Sequence, residues 1–278
     1  MGVRYAVGLP TVGEFGDPLL LVELAVLAEE YGWDGVYLWD HVLFHDPAWP
    51  VTNPTVTAAA IAACTTRVRL IVMHVLPRRR VELVAREAVA LDVLSGGRLT
   101  FAAAIGSMNS EFTAFGASPD LRVRAAALDA GLDDLRALWS GSPVGPENVR
   151  MVPGPVQPSG IPIWCGGRWP NKAPLRRAAR YDGAMPTFVD QSSRVVPPQD
   201  LAEAVSYIAR FRGSLDGFDI AMEGATSPGS SVAPYEVATH DVAAYQDVGL
   251  TWWIEAMGWW RGGVTAASTR IAAGPPNV

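Results

Sequence analysis

The fold is decided by one continuous stretch, residues 69–105, whose sequence is RLIVMHVLPRRRVELVAREAVALDVLSGGRLTFAAAI. Its apolar start, Arg69 to Val75, predicts a buried strand, and apolar residues at helical spacing predict a helix from Val81 to Leu94. Two glycines after that helix suit its C-terminal end, and a second apolar run, Leu99 to Ile105, predicts the next strand. Two apolar strands joined by a helix are typical of a βαβ unit, in which the strands run parallel.

The same alternation of strands and helices continues on both sides of this unit. Six more strands are predicted at Val3–Leu9, Gly35–Trp39, Ile161–Cys165, Gly183–Phe188, Phe218–Glu223 and Thr251–Met257. The other helices are predicted at Pro18–Tyr31, Asn53–Cys64, Arg122–Trp139, Asn171–Arg180, Asp200–Arg212 and Val237–Val248. Eight such units favour an α/β fold, a (β/α)8 TIM barrel that forms a single domain over residues 1–278. The structural rival is an open doubly wound sheet, but the turn after the first strand, PTVG at 10–13, lacks the GxGxxG pattern usual in that fold.

Two polar stretches interrupt the alternation, Ser107–Leu121 and Ser140–Gly160. Both are longer than ordinary barrel connections, and the second is rich in Pro and Gly. We expect both to be insertion segments near the C-terminal face of the barrel, where they would cover the site.

The composition excludes several classes of partner. The chain has 278 residues and a formal net charge of −6, and it carries no basic stripe of the kind that follows a phosphate backbone, so nucleic-acid binding is disfavoured. It shows neither an apolar run of membrane-spanning length nor the pattern of a signal peptide. The two cysteines, Cys64 and Cys165, form no CxxC pair, which favours a reducing compartment. We therefore expect a cytoplasmic protein with no membrane partner.

The pair Asp40-His41 follows the second predicted strand and is the best acid–base candidate. A histidine near the barrel axis exchanges a proton close to neutral pH, and an adjacent carboxylate can raise its pKa. The alternative is an aspartate that ties the strand end to backbone amides. His41 and His45 also have the spacing of a helical zinc site, but Pro47 and Pro50 make a regular helix doubtful there, so no metal is expected.

Other residues near strand ends have charge or aromatic character. Gly166-Gly167 precedes a predicted helix, where bare amides form an anion site and Arg168 adds charge; a plain tight turn is the alternative. The run Arg78-Arg79-Arg80 either meets an anionic ligand or is a solvated helix start. Cys165 is more readily interpreted as a small buried apolar residue than as a ligand contact. Six tryptophans would wall a pocket for a flat ring, namely Trp39, Trp49, Trp164, Trp169, Trp259 and Trp260.

On these residues the chain resembles the bacterial luciferase-like oxidoreductases, which use FMN or the deazaflavin coenzyme F420. The matching stretches are AEEYGWDGV (28–36) with Asp40-His41, RE (86–87) with LDVLSGGRL (91–99), Glu111-Phe112 with Phe115-Gly116, Leu135 with Leu138-Trp139, and PIWCGG (162–167) with AARYDG (178–183). The resemblance extends to about Thr187, roughly the first two thirds of the chain. Beyond that point only the barrel pattern supports it.

The resemblance implies a cofactor in the barrel mouth and assigns contacts to it. Asp40, His41, Met73 and His74 would lie near the ring, with a bulge or cis peptide at Met73-His74. The ribityl and phosphate part would be held at the ends of strands four and five, by Gly106, Ser107, Asn109, Cys165, Gly166, Gly167 and Arg168. Sugar-phosphate dehydrogenases of the family carry a Glu where this chain has Ser107, which argues against that substrate.

The function that follows is an oxidoreductase transferring hydride to or from a small apolar organic substrate, with Asp40 and His41 handling the proton. Coenzyme F420 is favoured over FMN because Arg78 to Arg80 suit an anionic oligoglutamate tail. The alternatives are an FMN-dependent monooxygenase with a separate flavin reductase, a metal-dependent barrel hydrolase, and a non-catalytic flavin-binding barrel. Dimers are common among the family, so a homodimer is an expectation by analogy.

Overall fold

A computed structural model of the protein describes residues 2–191, 193–227 and 238–276. Eight parallel strands close into a barrel in which each strand pairs with its neighbours in sequence, and the last pairs with the first. The strands are β1 (Arg4–Leu9), β2 (Gly35–Leu38), β3 (Arg69–Val75), β4 (Leu99–Ala104), β5 (Ile163–Arg168), β6 (Gly183–Thr187), β7 (Asp219–Gly224) and β8 (Trp252–Ala256). The predicted (β/α)8 barrel is confirmed.

Helices surround the barrel and cover its outer face. In the described ranges they are α1 (Pro18–Glu30), α2 (Pro54–Cys64), α3 (Val81–Leu94), α4 (Ser110–Thr113), α5 (Leu121–Trp139), α6 (Lys172–Ala178), α7 (Pro198–Arg212), α8 (Val242–Gln246) and α9 (Gly263–Ala272). Asn53 and Asp120 cap α2 and α5 by accepting hydrogen bonds from backbone amides of the first turn. The helix predicted to begin at Val237 begins at Val242, and Val237 itself lies outside the described residues.

Strand β5 differs from its prediction and changes the interpretation of the residues that follow it. It runs from Ile163 to Arg168 rather than ending at Cys165, and Gly166 and Gly167 pair with Met185 and Pro186 of β6. The two glycines are therefore part of a strand. They form neither a tight turn nor the N-terminus of α6, which begins at Lys172. Pairing does not extend back to the predicted start because Pro162 has no amide hydrogen to donate.

Both polar stretches were expected at the C-terminal face of the barrel, but one of them lies at the N-terminal face. The segment after β4, 107–121, lies at the C-terminal face as expected. The segment 140–160 follows α5 and leads into the start of β5, so it lies at the N-terminal face. Its Gln157 side chain donates to the carbonyl of Leu99, at the start of β4, and accepts from Arg69, at the start of β3.

Side chains on each strand alternate between the barrel interior and the helix layer, as the pleat requires. The interior cluster contains Ala6, Tyr37, Ile71, Ala102, Trp164, Met185, Ala221, Trp252 and Ile254, with Trp39 and Met73 packed against it. Trp164 and Trp252 pack edge to face at 5.7 Å between ring centroids, and Arg4 lies 4.3 Å above the Trp252 ring. These large rings pack inside the N-terminal half of the barrel.

Arg98 joins three neighbouring elements through hydrogen bonds from its guanidinium group. Nη1 donates to Thr65 Oγ1 and Val68 O, and Nη2 donates to Ala62 O and Thr65 O, at distances from 2.9 to 3.0 Å. Nε donates to Ser95 O at 2.8 Å. The arginine of the SGGR segment thus satisfies the carbonyls at the C-terminal end of α2 and in the turn that leads to β3.

We expect Arg98→Ala to lower the free energy of unfolding by about 2–4 kcal/mol, because several carbonyls lose their donors at once. Urea unfolding followed by circular dichroism measures the change. The matched control is Arg80→Ala. The Arg80 side chain is 77% exposed and pairs with Glu82, two residues further along the chain, so its loss should change stability by no more than about 0.5 kcal/mol. Equal losses in the two variants would contradict the role given to Arg98.

Candidate active site

A cavity of about 760 Å³ opens at the C-terminal end of the barrel, which is where enzymes of this fold carry their active sites. Its volume lies within the range of small-molecule and cofactor sites. The strand ends after β2, β5, β6, β7 and β8 all contribute to it. The lining residues are Trp39, Phe44, His45, Arg168, Thr187, Phe188, Asp190, Gln191, Ser193, Glu223, Gly224, Ala225, Ala238, Ala256, Trp259 and Trp260.

One wall of the cavity is a cluster of aromatic rings. Trp39 and Trp260 are nearly parallel, with ring centroids 5.8 Å apart and 13° between their planes. Trp259 meets Trp260 edge to face at 4.6 Å and Phe44 at 5.4 Å. Trp49 packs behind Phe44 and Trp259 and does not line the cavity. Half of the six tryptophans expected at the pocket therefore line it: Trp39, Trp259 and Trp260.

The aromatic wall is held by a buried ion pair behind it. Trp259 and Trp260 lie on a 3-10 turn, Trp259–Arg261, directly after β8. Arg261 donates from Nη1 to Glu255 Oε1 at 2.9 Å and from Nη2 to the carbonyl of Ser227 at 2.7 Å. Both partners of the ion pair are buried, so the turn has little freedom to move. Glu255 and Arg261 therefore position the two indoles.

Small residues lie at the C-terminal ends of the inner strand faces. Ala256, the last residue on the inner face of β8, lines the cavity. Ala104 of β4 and Gly166 of β5 are also half-buried on the inner face, but they do not line this cavity. Met73, which was expected near a cofactor ring, lies on the inner face of β3 and does not line the cavity. The cavity is therefore low and apolar on the side of β8.

Glu223 is the acidic group of the cavity floor. It is the last inward-facing residue of β7, and its Oε1 accepts a hydrogen bond from Trp39 Nε1 at 3.2 Å. Burial raises the pKa of this carboxyl to about 7, although the hydrogen bond from Trp39 lowers it. A side chain at Gly8 would place its Cβ 3.0 Å from Glu223 Oε1 and 2.9 Å from Ile254, so the glycine on β1 leaves room for the carboxyl. Sequence analysis did not select Glu223. The signal for it is a lone carboxylate at the C-terminal end of an otherwise apolar strand.

Arg168 is placed at the rim of the same cavity, at the end of β5, and is exposed. It brings a cation to the mouth, as the sequence suggested. Gly167 faces the helix layer instead, where an added Cβ would lie 2.3 Å from Pro174 Cβ of α6. Its glycine identity allows α6 to approach the sheet, and its expected contact with a cofactor stays a prediction.

Asp40 is enclosed by arginines and a backbone amide. Its Oδ2 accepts from Val75 N at 2.7 Å, and its Oδ1 lies 3.0 Å from Arg79 Nη2 and 3.2 Å from Arg78 Nη2. Although burial raises the pKa of Asp40, the guanidinium groups of Arg79 and Arg78 outweigh it and hold the pKa below its ordinary value. Asp40 is thus an ionised anchor that fixes the loop after β3 to the end of β2.

Glu111 of α4 completes this network. It is buried, its Oε1 accepts from Val42 N at 2.8 Å, and the same oxygen lies 2.5 Å from Arg78 Nη1 and 3.3 Å from His41 Nδ1. His41 also meets Trp39 and Phe44 edge to face, at 6.1 and 5.0 Å between ring centroids. His41 therefore lies directly behind two rings of the cavity wall. His45, on the same loop, lines the cavity itself.

The arginine run is used inside the protein and is not free to bind an anion. Arg78 and Arg79 are engaged by Asp40 and Glu111, and their side chains are 7% and 18% exposed. Arg80 is exposed and pairs with Glu82, away from the cavity. The inference that these three residues hold an oligoglutamate tail is therefore wrong, because partners distant in sequence already neutralise two of them.

Two residues expected at the cofactor face the helix layer instead. The His74 ring stacks on Phe101 at 4.1 Å between centroids, and its Nε2 lies 3.3 Å from Thr55 Oγ1. Burial lowers the pKa of His74 to about 4, so it is neutral. Cys165 is also buried in that layer, where burial raises the pKa of its thiol to about 12. Both assignments were wrong because alternate residues of a strand face opposite sides.

The expected distortion at Met73-His74 is also missing. Both residues continue the regular pairing of β3 with β4, opposite Ala102 and Ala103. In the described residues the cis peptide bonds are Val152-Pro153 and Trp169-Pro170. The end of β3 is therefore an ordinary strand.

The loop after β4 is folded onto Arg124 of α5. Arg124 donates from Nη2 to Asn109 Oδ1 at 2.8 Å and from Nη1 to the carbonyl of Gly106 at 3.3 Å. Gly106 has φ of +84°, and a Cβ there would meet Val75 and Phe112. Ser107 is exposed on this loop. Gly106, Ser107 and Asn109 do not line the cavity, so their placement gives no support to cofactor contacts.

Two further properties were searched for over the residues that the structure describes. No three His, Cys, Asp or Glu side chains are grouped there as a metal site would require. Among the same residues, no helix combines the length and the apolar character needed to cross a bilayer.

Comparisons with known proteins agree with this architecture. The sequence model described as luciferase-like monooxygenase matches residues 10–246. The chain is 28% identical over 206 residues to 4-hydroxyprotoasukamycin monooxygenase of Streptomyces nodosus subsp. asukaensis, covering 70% of this chain and 52% of that protein. It is 30% identical over 188 residues to F420-dependent glucose-6-phosphate dehydrogenase of Nocardia farcinica (strain IFM 10152), covering 61% and 52%. The chain thus spans about half the length of these curated relatives.

A solved structure matches the chain over nearly its whole length. The F420-dependent secondary alcohol dehydrogenase in complex with an F420-acetone adduct superposes with a TM-score of 0.75, covering 98% of this chain and 99% of that one. The sequences are 17% identical, so this likeness concerns the fold.

The buried network gives a prediction about acid stability. We expect Glu111→Gln to lower the free energy of unfolding at pH 7 by about 3 kcal/mol, because Arg78 keeps its charge and loses a buried partner. Although burial raises the pKa of Glu111, its contacts with His41, Val42 and Arg78 hold that pKa below the ordinary value of 4.5. Its contribution to stability is therefore present above pH 4.5 and disappears as the pH falls through the folded-state pKa. The variant should therefore lose less additional stability than the wild type between pH 5 and pH 3.

Thermal unfolding followed by circular dichroism at each pH measures both effects. Glu87→Gln is the control, since its side chain is 46% exposed and lies 3.9 Å from Arg79. It should change stability by no more than about 0.5 kcal/mol. If stability fell as steeply between pH 5 and pH 3 in Glu111→Gln as in the wild type, the stabilising role of Glu111 would be ruled out.

Proposed function

Because the chain belongs to the luciferase-like monooxygenase family, we propose that it is an oxidoreductase that binds a deazaflavin or flavin in the barrel-mouth cavity and acts on a small apolar organic molecule. The observation that carries the proposal is the cavity itself, which combines a wall of indole rings, small apolar residues, the carboxyls of Glu223 and Asp190, and the rim cation of Arg168. This is the chemistry that a flat, mostly apolar ring with an anionic tail requires.

The residues present fit such a group. Ala256, which ends the inner face of β8 and lines the cavity, is small and leaves space there. Trp39 and Trp260 offer parallel faces at its side, and Arg168 offers a cation at the rim for a phosphate. When bound, the deazaflavin or flavin supplies hydride transfer, and the surrounding rings exclude water from it.

We favour coenzyme F420 over FMN, although Arg78 to Arg80 do not support this choice because Asp40 and Glu111 engage two of them. Support comes from the relative in Nocardia farcinica, whose name gives F420 as its cofactor and which is 30% identical to this chain. The second candidate is an FMN-dependent monooxygenase served by a separate flavin reductase. The support for it is the similarity to 4-hydroxyprotoasukamycin monooxygenase over 70% of this chain. Cytoplasmic location and a homodimer belong to the same proposal.

Asp40 and His41 have different roles in the proposal. Asp40 is ionised and enclosed, so we give it the positioning of Arg78 and Arg79. The His41 side chain is 13% exposed and touches Trp39 and Phe44, so it supports the wall and is the member of the pair that we propose to meet the ligand.

Equilibrium binding of F420 and of FMN, measured in parallel by fluorescence, tests the proposal. We expect micromolar or tighter binding of at least one of them, with F420 preferred. Arg168→Ala should weaken binding about tenfold or more, because a charge-assisted contact to phosphate is lost. Arg80→Ala should leave the Kd unchanged within about twofold, since Arg80 lies away from the cavity. No binding of either cofactor would overturn the proposal, and preference for FMN would select the monooxygenase alternative.

A further inference from the structure

The carboxylates enclosed by the fold differ in their partners. Asp40, Glu111 and Glu255 each lie within 3.2 Å of at least one arginine nitrogen. Asp92 is buried and forms no ion pair among the described residues, but its oxygens accept from Val156 N, Gln157 N and Gln157 Nε2. Glu223 is half-buried and lines the cavity, and among the described residues its carboxyl accepts one hydrogen bond, from the neutral indole N–H of Trp39. No described arginine or lysine contributes to its pKa, which reflects desolvation and that one hydrogen bond. Glu223 therefore keeps unused acceptor capacity at the cavity.

The surroundings of Glu223 hold it in place without satisfying its charge. The side chain of Gln191 donates to the backbone carbonyl of Glu223 and accepts from Phe188 N at 2.7 Å, which ties β7 to the end of β6. Gly8 and Ile254 of the adjoining strands enclose the carboxyl from β1 and β8. The remaining open side of Glu223 is the cavity that it lines.

Other titratable groups around Glu223 lie on each side of it. Tyr37, on the inner face of β2, is buried. Burial is the largest cause that raises the pKa of its phenol, and the negative charges of Glu223 and Asp40 raise it further. His240 lies behind β7, 3.3 Å from the Cβ that a side chain at Gly224 would carry. His45, Arg168 and Asp190 line the same cavity. Burial lowers the pKa of His240, so it supplies no positive charge near neutral pH, and the phenol of Tyr37 has no cationic form.

From this placement we propose that Glu223 is the proton-exchange catalytic residue of the cavity, and that its ligands present a hydroxyl or carbonyl oxygen to the floor beside Trp39. The redox part of the inference rests on the proposed function. When an alcohol is oxidised, its carbon loses a hydride to the cofactor, the carbon–oxygen bond becomes double, and the hydroxyl proton passes to the Glu223 carboxylate. In the reverse direction the protonated carboxyl returns that proton to the carbonyl oxygen.

The chemistry of Glu223 suits both directions. A carboxyl with a pKa of about 7 is present in both forms near neutral pH, which is the condition for efficient acid and base catalysis. Trp39 donates to the carboxylate and also presents its ring to the cavity, so the indole positions the acid and the ligand together. The aromatic wall favours flat, apolar ligands. Among these, Glu223 favours ligands whose hydroxyl or carbonyl oxygen can form a hydrogen bond with its carboxyl.

The first test follows the carboxyl directly in the protein without a cofactor. Carbon-13 NMR of protein labelled at the glutamate side chains should show one carboxyl that titrates near pH 7 and is lost in Glu223→Gln. In Trp39→Phe the midpoint should rise by about half a pH unit or more, because the hydrogen bond that favours the carboxylate is lost. Asp190→Asn, at a carboxylate that also lines the cavity, should keep the titration. A spectrum in which every glutamate titrates below pH 6 would overturn the inference.

The second test uses two matched pairs of flat probes, 2-naphthol with naphthalene and 2-acetylnaphthalene with 2-ethylnaphthalene, followed by fluorescence quenching. Binding of the naphthol should tighten above pH 7, when the carboxylate accepts a hydrogen bond from its hydroxyl, and binding of the ketone should tighten below pH 7, when the protonated carboxyl donates one to its carbonyl oxygen. Glu223→Gln should remove both pH dependences and weaken the naphthol about tenfold. The hydrocarbons should be unaffected by pH and by the substitution. Equal pH dependence in the wild type and the variant would overturn the inference.

The two proposals fail in distinguishable ways. If neither F420 nor FMN binds while the NMR titration and the probe results hold, the proposed cofactor is wrong and the role of Glu223 as the proton group of the cavity stands. If a cofactor binds and Glu223→Gln retains the titration near pH 7, the role of Glu223 is wrong and the proposed function stands. Circular dichroism and thermal unfolding of Glu223→Gln confirm folding, and Trp39→Phe supplies the shifted midpoint independently.

Discussion

The closure of eight parallel strands into a barrel fixes which residues can form the site. Side chains alternate along each strand, so every position faces either the barrel interior or the helix layer, and the strand pairing leaves no other direction. This rule separates neighbours such as Met73, which faces the barrel mouth, from His74, which stacks on Phe101 in the helix layer. On β7 the same rule turns Glu223 inward, where it lines the cavity together with Ala256 of β8.

Charge pairing fixes the loops that the barrel alone would leave loose. Asp40 at the end of β2 holds Arg78 and Arg79 after β3, and Glu111 of α4 joins Arg78 from the loop after β4. On the opposite side, Glu255 holds the turn that carries Trp259 and Trp260. Taking such charges out of water costs several kcal/mol per ion, which is recovered only in one geometry. The ion pairs thus specify the shape of the cavity wall more than they add to stability.

The strands and the closed barrel could be predicted from the sequence because the alternation of apolar strands with amphipathic helices carries that information locally. The faces of those strands could not, because strands of a parallel barrel are buried on both sides and show no polar–apolar alternation. His74 and Cys165 were placed at the site for this reason. Arg78 and Arg79 looked like free cations because Asp40 and Glu111 are far from them in sequence. Glu223 belongs to no motif, and its importance depends on Trp39 and Gly8, which only the closed sheet brings to it.

The energetics of Glu223 run opposite to those of the paired carboxylates. Burial raises its pKa above the ordinary value, so the folded protein binds a proton more tightly there than the unfolded chain does, and stability falls as the pH rises from about 4.5 to about 7. The pKa of Asp40 is held low by Arg79 and Arg78, so its contribution to stability is already fully present over the same pH interval. The cost at Glu223 would be relieved if a cation reached it, and Arg168 lines the same cavity but lies at its rim. A carboxyl that is half-buried, positioned and left without a cation adds little to the stability of the fold. Its placement is explained by a ligand that completes its hydrogen bonding within the cavity.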